Sequence, residues 1–231
     1  MKPGLYVIGT PIGNLGDISN RALDILASVD FILAEDTRHT QKLLSFYKIK
    51  VPTISCHKFN EASRTKIVIR KIKDGKAVAL VTNAGMPCVS DPGARIVKAC
   101  VEEKLFITAI PGPSSITMAI SLCGFLSTQH LFLGFLPSQS SDRKKFLSLA
   151  LTCNFNIVIF ESPYRIIKLL EELCIFFPKA NVFIGRELTK INEECLWGTP
   201  QQLLATFMER INIKKQKIKG EFVLVIDNSV K

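Results

Sequence analysis

The residues of this chain that could do chemistry lie in five loops rich in glycine, proline, serine and charged side chains. The loops read GTPIGNLGD (9–17), TNAGMPCVSDPG (82–93), PGPSS (111–115), ESPYR (161–165) and RELTK (186–190). Each loop follows an apolar run that predicts a β-strand, and open α/β sheets bind ligands at the carboxyl ends of their strands. Glycines there let a ligand approach the backbone, whose free N–H groups are donors. The five loops therefore predict a ligand site.

The spacing of the possible ligand-binding residues argues against the common nucleotide and metal motifs. Gly9, Gly13 and Gly16 do not have the GxGxxG spacing of a dinucleotide site, and the chain contains no GxxxxGK[ST] P-loop. The three histidines show no HxxH or HExxH spacing, and the seven cysteines form no CxxC pair. We expect no metal site, and we expect the cysteines to pack as small apolar side chains.

Short apolar runs alternate with longer helical patterns nearly throughout the chain. The run AVALV (77–81) is continuously apolar, which is typical of a strand buried on both faces of a parallel sheet. The β–α alternation predicts the α/β class, with helices packed on mainly parallel sheets. The break after Ile110, at Pro111-Gly112-Pro113, predicts two α/β domains, residues 1–113 and 114–231.

The charge of the chain favours a polyanionic partner. Thirty Lys and Arg residues against 20 Asp and Glu residues give a formal net charge of +10, and nucleic acids attract such proteins. A generally basic proteome would give the same excess. No apolar stretch is long enough to span a bilayer, and the N-terminus lacks the apolar core of a signal peptide. We expect a cytoplasmic protein with no membrane contact.

Eight motifs occur in one order along the chain. They are GTPIGNLGDIS (9–19), AEDTR (34–38), SDPG (90–93), PGPSS (111–115), GFLP (134–137), ESPYR (161–165), RELTK (186–190) and KGE (219–221). On these motifs the whole chain resembles the tetrapyrrole methylase superfamily, and within it the 16S ribosomal RNA cytidine 2′-O-methyltransferases. The resemblance implies two α/β domains with S-adenosylmethionine in an interdomain cleft, and commonly a homodimer. It also implies the small ribosomal subunit as partner and methylation of a cytidine ribose hydroxyl in its RNA.

The same resemblance implies a set of cofactor contacts. They fall on Pro11, Ile12, Gly85, Met86, Val89, Ser115, Ile116, Glu161, Ser162, Leu188 and Gly220. The chain departs from the family at TNAGMP (82–87), where relatives usually read SDAGTP, and at Tyr164, where histidine is usual. The remaining small residues at 84 and 85 still let backbone carbonyls and amides meet a cofactor.

Methyl transfer to a ribose hydroxyl benefits from a general base, since the hydroxyl is a weak acid. The candidate bases are Asp36, Glu61 and Glu187. Each has a structural alternative: Asp36 could cap a helix and pair with Arg38, Glu61 could be a first-turn acid favoured by the helix dipole, and Glu187 could belong to an interdomain ion pair with Arg186.

Four residues are candidate RNA contacts. Arg38 and Arg186 suit phosphates, because a guanidinium group pairs bidentately with them, and His57 and Asn60 lie in the loop HKFNE (57–61). Two rival functions stay open. One is a tetrapyrrole methyltransferase, although such enzymes usually have a GAGPGD-type first loop; the other is a relative that binds RNA or S-adenosylmethionine without catalysis.

Overall fold

A computed structural model describes residues 1–213 and 215–228, and the chain divides into two compact units, Met1–Ser114 and Ser115–Lys231. The predicted division after Pro113 lies one residue before this boundary. The first unit contains β1 (Gly4–Ile8), α1 (Asn20–Ser28), β2 (Phe31–Ala34), α2 (Thr37–Phe46), β3 (Thr53–Ser55), α3 (Glu61–Lys73), β4 (Ala77–Val81), α4 (Ala94–Glu102) and β5 (Ile107–Ile110). The second contains α5 (Ser115–Cys123), β6 (His130–Phe135), α6 (Ser140–Leu151), β7 (Asn156–Glu161), α7 (Ile166–Phe176), β8 (Val182–Arg186), β9 (Glu194–Gly198), α8 (Pro200–Asn212) and β10 (Phe222–Ile226).

The first sheet is parallel throughout, with strand order β3-β2-β4-β1-β5. Alternate residues of β1 enter two separate cores, Tyr6 and Ile8 on one face and Leu5 and Val7 on the other. The uninterrupted apolar run of β4 is buried along its whole length, as expected for a central strand covered on both faces. This arrangement places the carboxyl ends of all five strands at one edge.

The second sheet is mixed, with strand order β6-β7-β10-β8-β9. The expectation of mainly parallel sheets is right for the first sheet and wrong for the pairing of the second, where only β6 and β7 pair in parallel. The physical reason lies in the short connection 187–193, which folds β9 back beside β8. The crossover through α8 then keeps that direction, so β10 enters antiparallel between β7 and β8.

The second unit has its main core on one face of the sheet. There α6, α7 and α8 cover Ile157, Ile159 and Leu224, among other buried side chains. The opposite face is covered by α5, which packs against β8 and β10. None of the helices within 1–213 and 215–228 combines the length and apolar character needed to cross a membrane.

The predicted alternation of strands and helices is confirmed, and AVALV (77–81) coincides with β4, but one strand, β3, was missed. The strand β3 has three half-buried residues and follows Pro52 directly, so it gives almost no periodic signal. It nevertheless extends the parallel sheet through its pairing with β2. The loop after β3, which contains two of the candidate RNA contacts, thereby comes to the same edge as the glycine-rich loops.

Candidate active site

Three loops of the first unit meet backbone to backbone at the carboxyl edge of the parallel sheet. The N–H of Thr10 donates to the carbonyl of Gly85 at 2.9 Å, and the N–H of Gly85 returns a bond to Thr10 at 3.0 Å. A Cβ atom added to Gly9 would lie 2.7 Å from the Cα atom of Gly112. Because no real Cβ tolerates that distance, the close approach of these loops requires glycine at both positions.

The predicted cofactor contacts of the first unit divide into two groups. Ile12 is buried, and a Cβ on Gly85 would lie 3.4 Å from its Cγ2 atom; the Sδ atom of Met86 would lie 2.6 Å from a Cβ on Gly9. Pro11 is half-buried beside them in the sequence, whereas the side chain of Val89 is exposed. The structure therefore brings Ile12, Gly85 and Met86 to one place and leaves Val89 facing solvent.

A polar cluster at the same edge was missed by the sequence reasoning. The Oε2 atom of Glu35 accepts hydrogen bonds from the Thr82 hydroxyl at 2.8 Å and from the N–H of Asn83 at 3.2 Å. Burial raises the pKa of Asp91 to about 6, the nearby Glu35 carboxylate adds to this rise, and a hydrogen bond with Thr82 partly offsets it. The sequence did contain a signal for this cluster, because the motifs AEDTR and SDPG follow β2 and β4, two inner strands of the same sheet.

The cluster also leaves one polar atom without a partner. In the described part of the chain, the Oδ1 atom of Asn83 is buried and accepts no hydrogen bond. A buried acceptor of this kind is costly unless an ordered water or a bound ligand satisfies it. Asn83 lies two residues before Gly85, so this acceptor belongs to the loop that the glycine contacts hold in place.

Two of the three predicted bases lie in the first unit, and both cap helices. Asp36 caps α2 through the N–H of Arg38 at 2.8 Å, and its hydrogen bonds to Arg38 lower its pKa to about 2. Glu61 is buried at the start of α3, and its Oε1 atom accepts from the N–H groups of Gly93 and Arg95 at 3.0 and 2.8 Å. It therefore caps α4 from a neighbouring helix. The contacts favour the structural alternatives, and the catalytic roles stay predictions.

The third predicted base, Glu187, lies in the second unit, in a loop with unusual backbone angles. Glu187 and Thr189 have positive φ angles of 52° and 67°, a strained region for residues other than glycine. The Glu187 carboxylate accepts from Lys190 Nζ at 2.7 Å and from the N–H of Glu221 at 2.9 Å. Burial raises the pKa of Glu187, but these two bonds outweigh it, so the pKa is lowered. Gly220 is required here, since a Cβ would meet the Glu187 side chain at 2.6 Å.

The remaining cofactor candidates of the second unit have different environments. Leu188 is buried against Gly185, and Ser115 and Ile116 begin α5. Glu161 is buried: its Oε1 atom accepts from the N–H of Ser162 and from Arg165 Nε, both at 2.7 Å. Its Oε2 atom is buried without a hydrogen-bond partner among the described residues.

The four candidate RNA contacts are divided between the two units. In the second unit, Arg186 donates to the carbonyl of Lys219 at 2.7 Å and pairs with Glu194 at 3.4 Å, so its partners are not interdomain. In the first unit, the Arg38 side chain is 89% exposed although it pairs with Asp36. His57 and Asn60 contact each other in the loop after β3. Over the described ranges, no group of three or more His, Cys, Asp or Glu side chains is arranged to hold a metal ion.

Comparison with known proteins gives one family. The model of the family described as Tetrapyrrole (Corrin/Porphyrin) Methylases matches residues 4–204. The chain is 40% identical to "Ribosomal RNA small subunit methyltransferase I" of Thermotoga maritima, over 96% of this chain and 97% of that protein. It is 40% identical to the protein of the same name from Vibrio cholerae, over 97% of this chain and 77% of that protein.

A solved structure has the same fold at low sequence identity. Uroporphyrin-III C-methyltransferase of Thermus thermophilus, complexed with S-adenosyl homocysteine, matches with a TM-score of 0.63 and 14% identity. The match covers 98% of each chain. At this identity the likeness concerns the fold of the two units and not the residues of a substrate site.

Proposed function

The chain belongs to the tetrapyrrole (corrin/porphyrin) methylase family, and from this premise we propose that it is an S-adenosylmethionine-dependent methyltransferase of ribosomal RNA. The observation that supports this substrate is the 40% identity, over nearly the whole of both chains, to a small-subunit ribosomal RNA methyltransferase. The proposed acceptor is the ribose 2′-oxygen of a cytidine in the 16S RNA. A cytoplasmic location and a homodimer stay predictions.

The loops of the first unit fit the cofactor. S-adenosylmethionine, when bound, supplies a methyl group on a positively charged sulfur that a nucleophile takes by direct displacement. Backbone groups beside Ile12 and Gly85 would hold its adenosine and methionine parts, and the unpartnered Oδ1 atom of Asn83 supplies an acceptor for an N–H or O–H group. In the second unit, Glu161, Ser162, Leu188 and Gly220 are proposed as further contacts.

The chain's own contribution to the reaction is to orient the hydroxyl and to take its proton. Alignment of reacting groups lowers a barrier by roughly 7–11 kcal/mol. We assign the proton to Asp91, because a carboxyl with a pKa of about 6 is mainly ionised at neutral pH yet still basic enough to accept a proton. As the ribose oxygen forms its bond to the methyl carbon, the S–C bond to that carbon would break and leave a neutral thioether, and the hydroxyl proton would pass to the Asp91 carboxylate. Glu35 and Thr82 hold the cluster in place through the 2.8 Å bond between them.

The test combines binding with mapping of the product. Calorimetric titration with S-adenosylmethionine is followed by incubation with small ribosomal subunits from a strain that lacks this gene, and 2′-O-methyl groups are then mapped. A new mark on one cytidine ribose is the expected result. Cofactor binding with methylation of uroporphyrinogen and not of RNA would replace the substrate by a tetrapyrrole. Failure to bind the cofactor would leave a non-enzymatic relative.

A further inference from the structure

The turn after β3 is held in one conformation by its own side chains. The Oδ1 atom of Asn60 accepts from the N–H of His57 at 2.8 Å, and its Nδ2 atom lies 3.2 Å from the Nε2 atom of His57. Arg64 donates from Nε to the carbonyl of Ser55 at 3.0 Å and ties α3 to the end of the strand. These contacts use the polar atoms of Asn60 within the turn, so we interpret Asn60 as a positioning residue and not as a direct RNA contact.

Phe59 projects from this turn with 93% of its surface exposed. Among the described residues its ring contacts that of His57, edge-on, with the two ring centroids 6.1 Å apart. A phenylalanine that is held on an ordered turn and contacts so little has a free π-face. Aromatic faces of this kind stack on unpaired bases of RNA, whereas duplex bases are already stacked on each other.

Exposed cationic residues lie on both sides of Phe59 in the chain. Lys58 precedes Phe59 and is exposed. The helix α3 begins two residues after Phe59, and the side chains of Lys66 and Arg70, four positions apart on this helix, are exposed. Lys58, Lys66 and Arg70 form no ion pair with a carboxylate among residues 1–213 and 215–228, unlike Lys73, which pairs with Glu103. These three cations are therefore available to an anionic partner.

The combination of a single ring and free cations favours RNA over a protein partner. The centre of a protein interface is depleted in lysine and buries several apolar side chains together. Here one ring stands next to Lys58 and at the start of a basic helix. The distance along α3 from Asn60 to Arg70 is about 15 Å. A short single strand of RNA can span this distance and contact the ring and the two cations of the helix.

We propose that Phe59 is a stacking platform for an unpaired base of the RNA substrate, with Lys66 and Arg70 as contacts to its phosphates. The proposal rests on the proposed function and names a residue that selects unpaired RNA. Stacking and phosphate contacts depend differently on salt. Each phosphate contact on a single strand adds about 0.7 to the slope of log affinity against log salt, whereas a stacked ring adds nothing to it.

The test measures binding of the full chain to a short unpaired ribo-oligonucleotide containing cytidine, at several salt concentrations. Phe59→Ala should weaken binding about 5- to 150-fold without changing the salt slope, and Phe59→Tyr should restore it. Arg70→Gln should instead lower the slope by about 0.7. The matched control is Phe46→Ala, which removes another exposed ring of the same unit, on α2, and should leave binding unchanged.

Three results would overturn the proposal. One is unchanged RNA affinity of Phe59→Ala when the wild type binds; another is an equal loss in Phe46→Ala. The third is a change in the sedimentation of Phe59→Ala alone, with RNA affinity intact, because it would assign the ring to contact between copies. Methylation of small subunits by the wild type is scored separately, so the proposed function stands or fails independently of these results.

Discussion

The two units hold their loops at the carboxyl ends of the strands by different means. In the first unit the loops meet backbone to backbone, through the paired bonds of Thr10 and Gly85 and the contact of Gly9 with Gly112. In the second unit they are held by ion pairs between side chains. The first arrangement brings main-chain groups and small residues together, whereas the second brings charged side chains together.

Two ion pairs of the second unit have buried carboxylates. Arg143 pairs with Glu172 at 2.5 Å, with side chains 2% and 7% exposed, and donates to the carbonyls of Pro137 and Ser138. Arg165 pairs with Glu161 and donates to the carbonyl of Leu136 at 3.0 Å. Both arginines therefore fix the loop that follows β6.

Two carboxyls, one in each unit, have pKa values that are shifted in opposite directions. In the first unit burial and the neighbouring Glu35 carboxylate raise the pKa of Asp91 to about 6. In the second unit the hydrogen bonds of Arg210 lower the pKa of Glu194. Carboxyls paired with cations keep their charge and stabilise structure, whereas a carboxyl without a cation partner is able to exchange a proton near neutral pH. This contrast supports the proposed role of Asp91 as the proton acceptor.

The largest effect is expected from Asp91→Asn. Loss of the proton acceptor should lower the rate of methyl transfer about 10²- to 10⁴-fold. In the wild type the rate should rise with pH through about 6, as the Asp91 carboxylate forms. Both expectations are checked by measuring the rate of methyl transfer to small subunits between about pH 5 and 8. Asp24→Asn, at an exposed acid on α1, is the control; a pH profile that survives in Asp91→Asn would exclude this role.

Asp91→Asn should lower activity but should be more stable at neutral pH relative to the wild type than it is at acidic pH. A carboxyl with a raised pKa stabilises the fold below its ordinary pKa of 3.8, and this stabilisation is lost as the pH rises through about 6. Relative to Asp91→Asn, the wild type should therefore lose unfolding free energy across this interval, by less than about 3 kcal/mol because solvent screens the partly exposed carboxyl. Denaturant unfolding at pH 4 and pH 7 measures the difference.

In the second unit, Arg143→Met should be strongly destabilising, because it leaves Glu172 buried and unpaired. The expected loss of unfolding free energy is about 3–5 kcal/mol. Lys145→Met, which breaks an exposed pair with Asp142 on the same helix, should cost less than about 1 kcal/mol. A double variant with Glu172→Leu should recover much of the loss. Equal losses for the two single variants would contradict a special role of the buried pair.

Gly9→Ala tests the backbone contact of the first unit. The added Cβ would lie 2.7 Å from Gly112, so overpacking should cost about 1–3 kcal/mol and weaken binding of S-adenosylmethionine. Gly16→Ala is the control in the same loop, since its Cβ would approach only the side chain of Asn14, at 3.3 Å. Thermal unfolding and calorimetry measure the two effects. Wild-type behaviour of Gly9→Ala would show that the loops need not touch.

The smallest effect is expected from Asp36→Ser. Serine is also a good N-cap residue, so α2 keeps its cap while the carboxylate is lost. Methyl transfer should stay at the wild-type rate if Asp36 is structural. A loss of about 100-fold or more would instead restore Asp36 as the general base.

Much of the fold could be predicted from periodicity alone, since the helices and the long strands are strongly patterned. The strand β3 could not, because three residues after a proline show no pattern. The direction of β10 could not be predicted either: its sequence FVLVI fits a central strand of any orientation, and its pairing depends on the turn between β8 and β9.

The sequence by itself determined the family, the α/β class and the position of the loops, since glycine, proline and charged residues recur where apolar runs end. It also identified carboxylates as possible bases. Only the tertiary structure showed which carboxylates cap helices, and it supports the proposal that Asp91 exchanges the proton. Asp36 and Glu61 accept hydrogen bonds from backbone N–H groups, whereas Asp91 is half-buried near Glu35. The pKa of a carboxyl depends on its neighbours in space, and residues 35 and 91 become neighbours only when β2 and β4 pair.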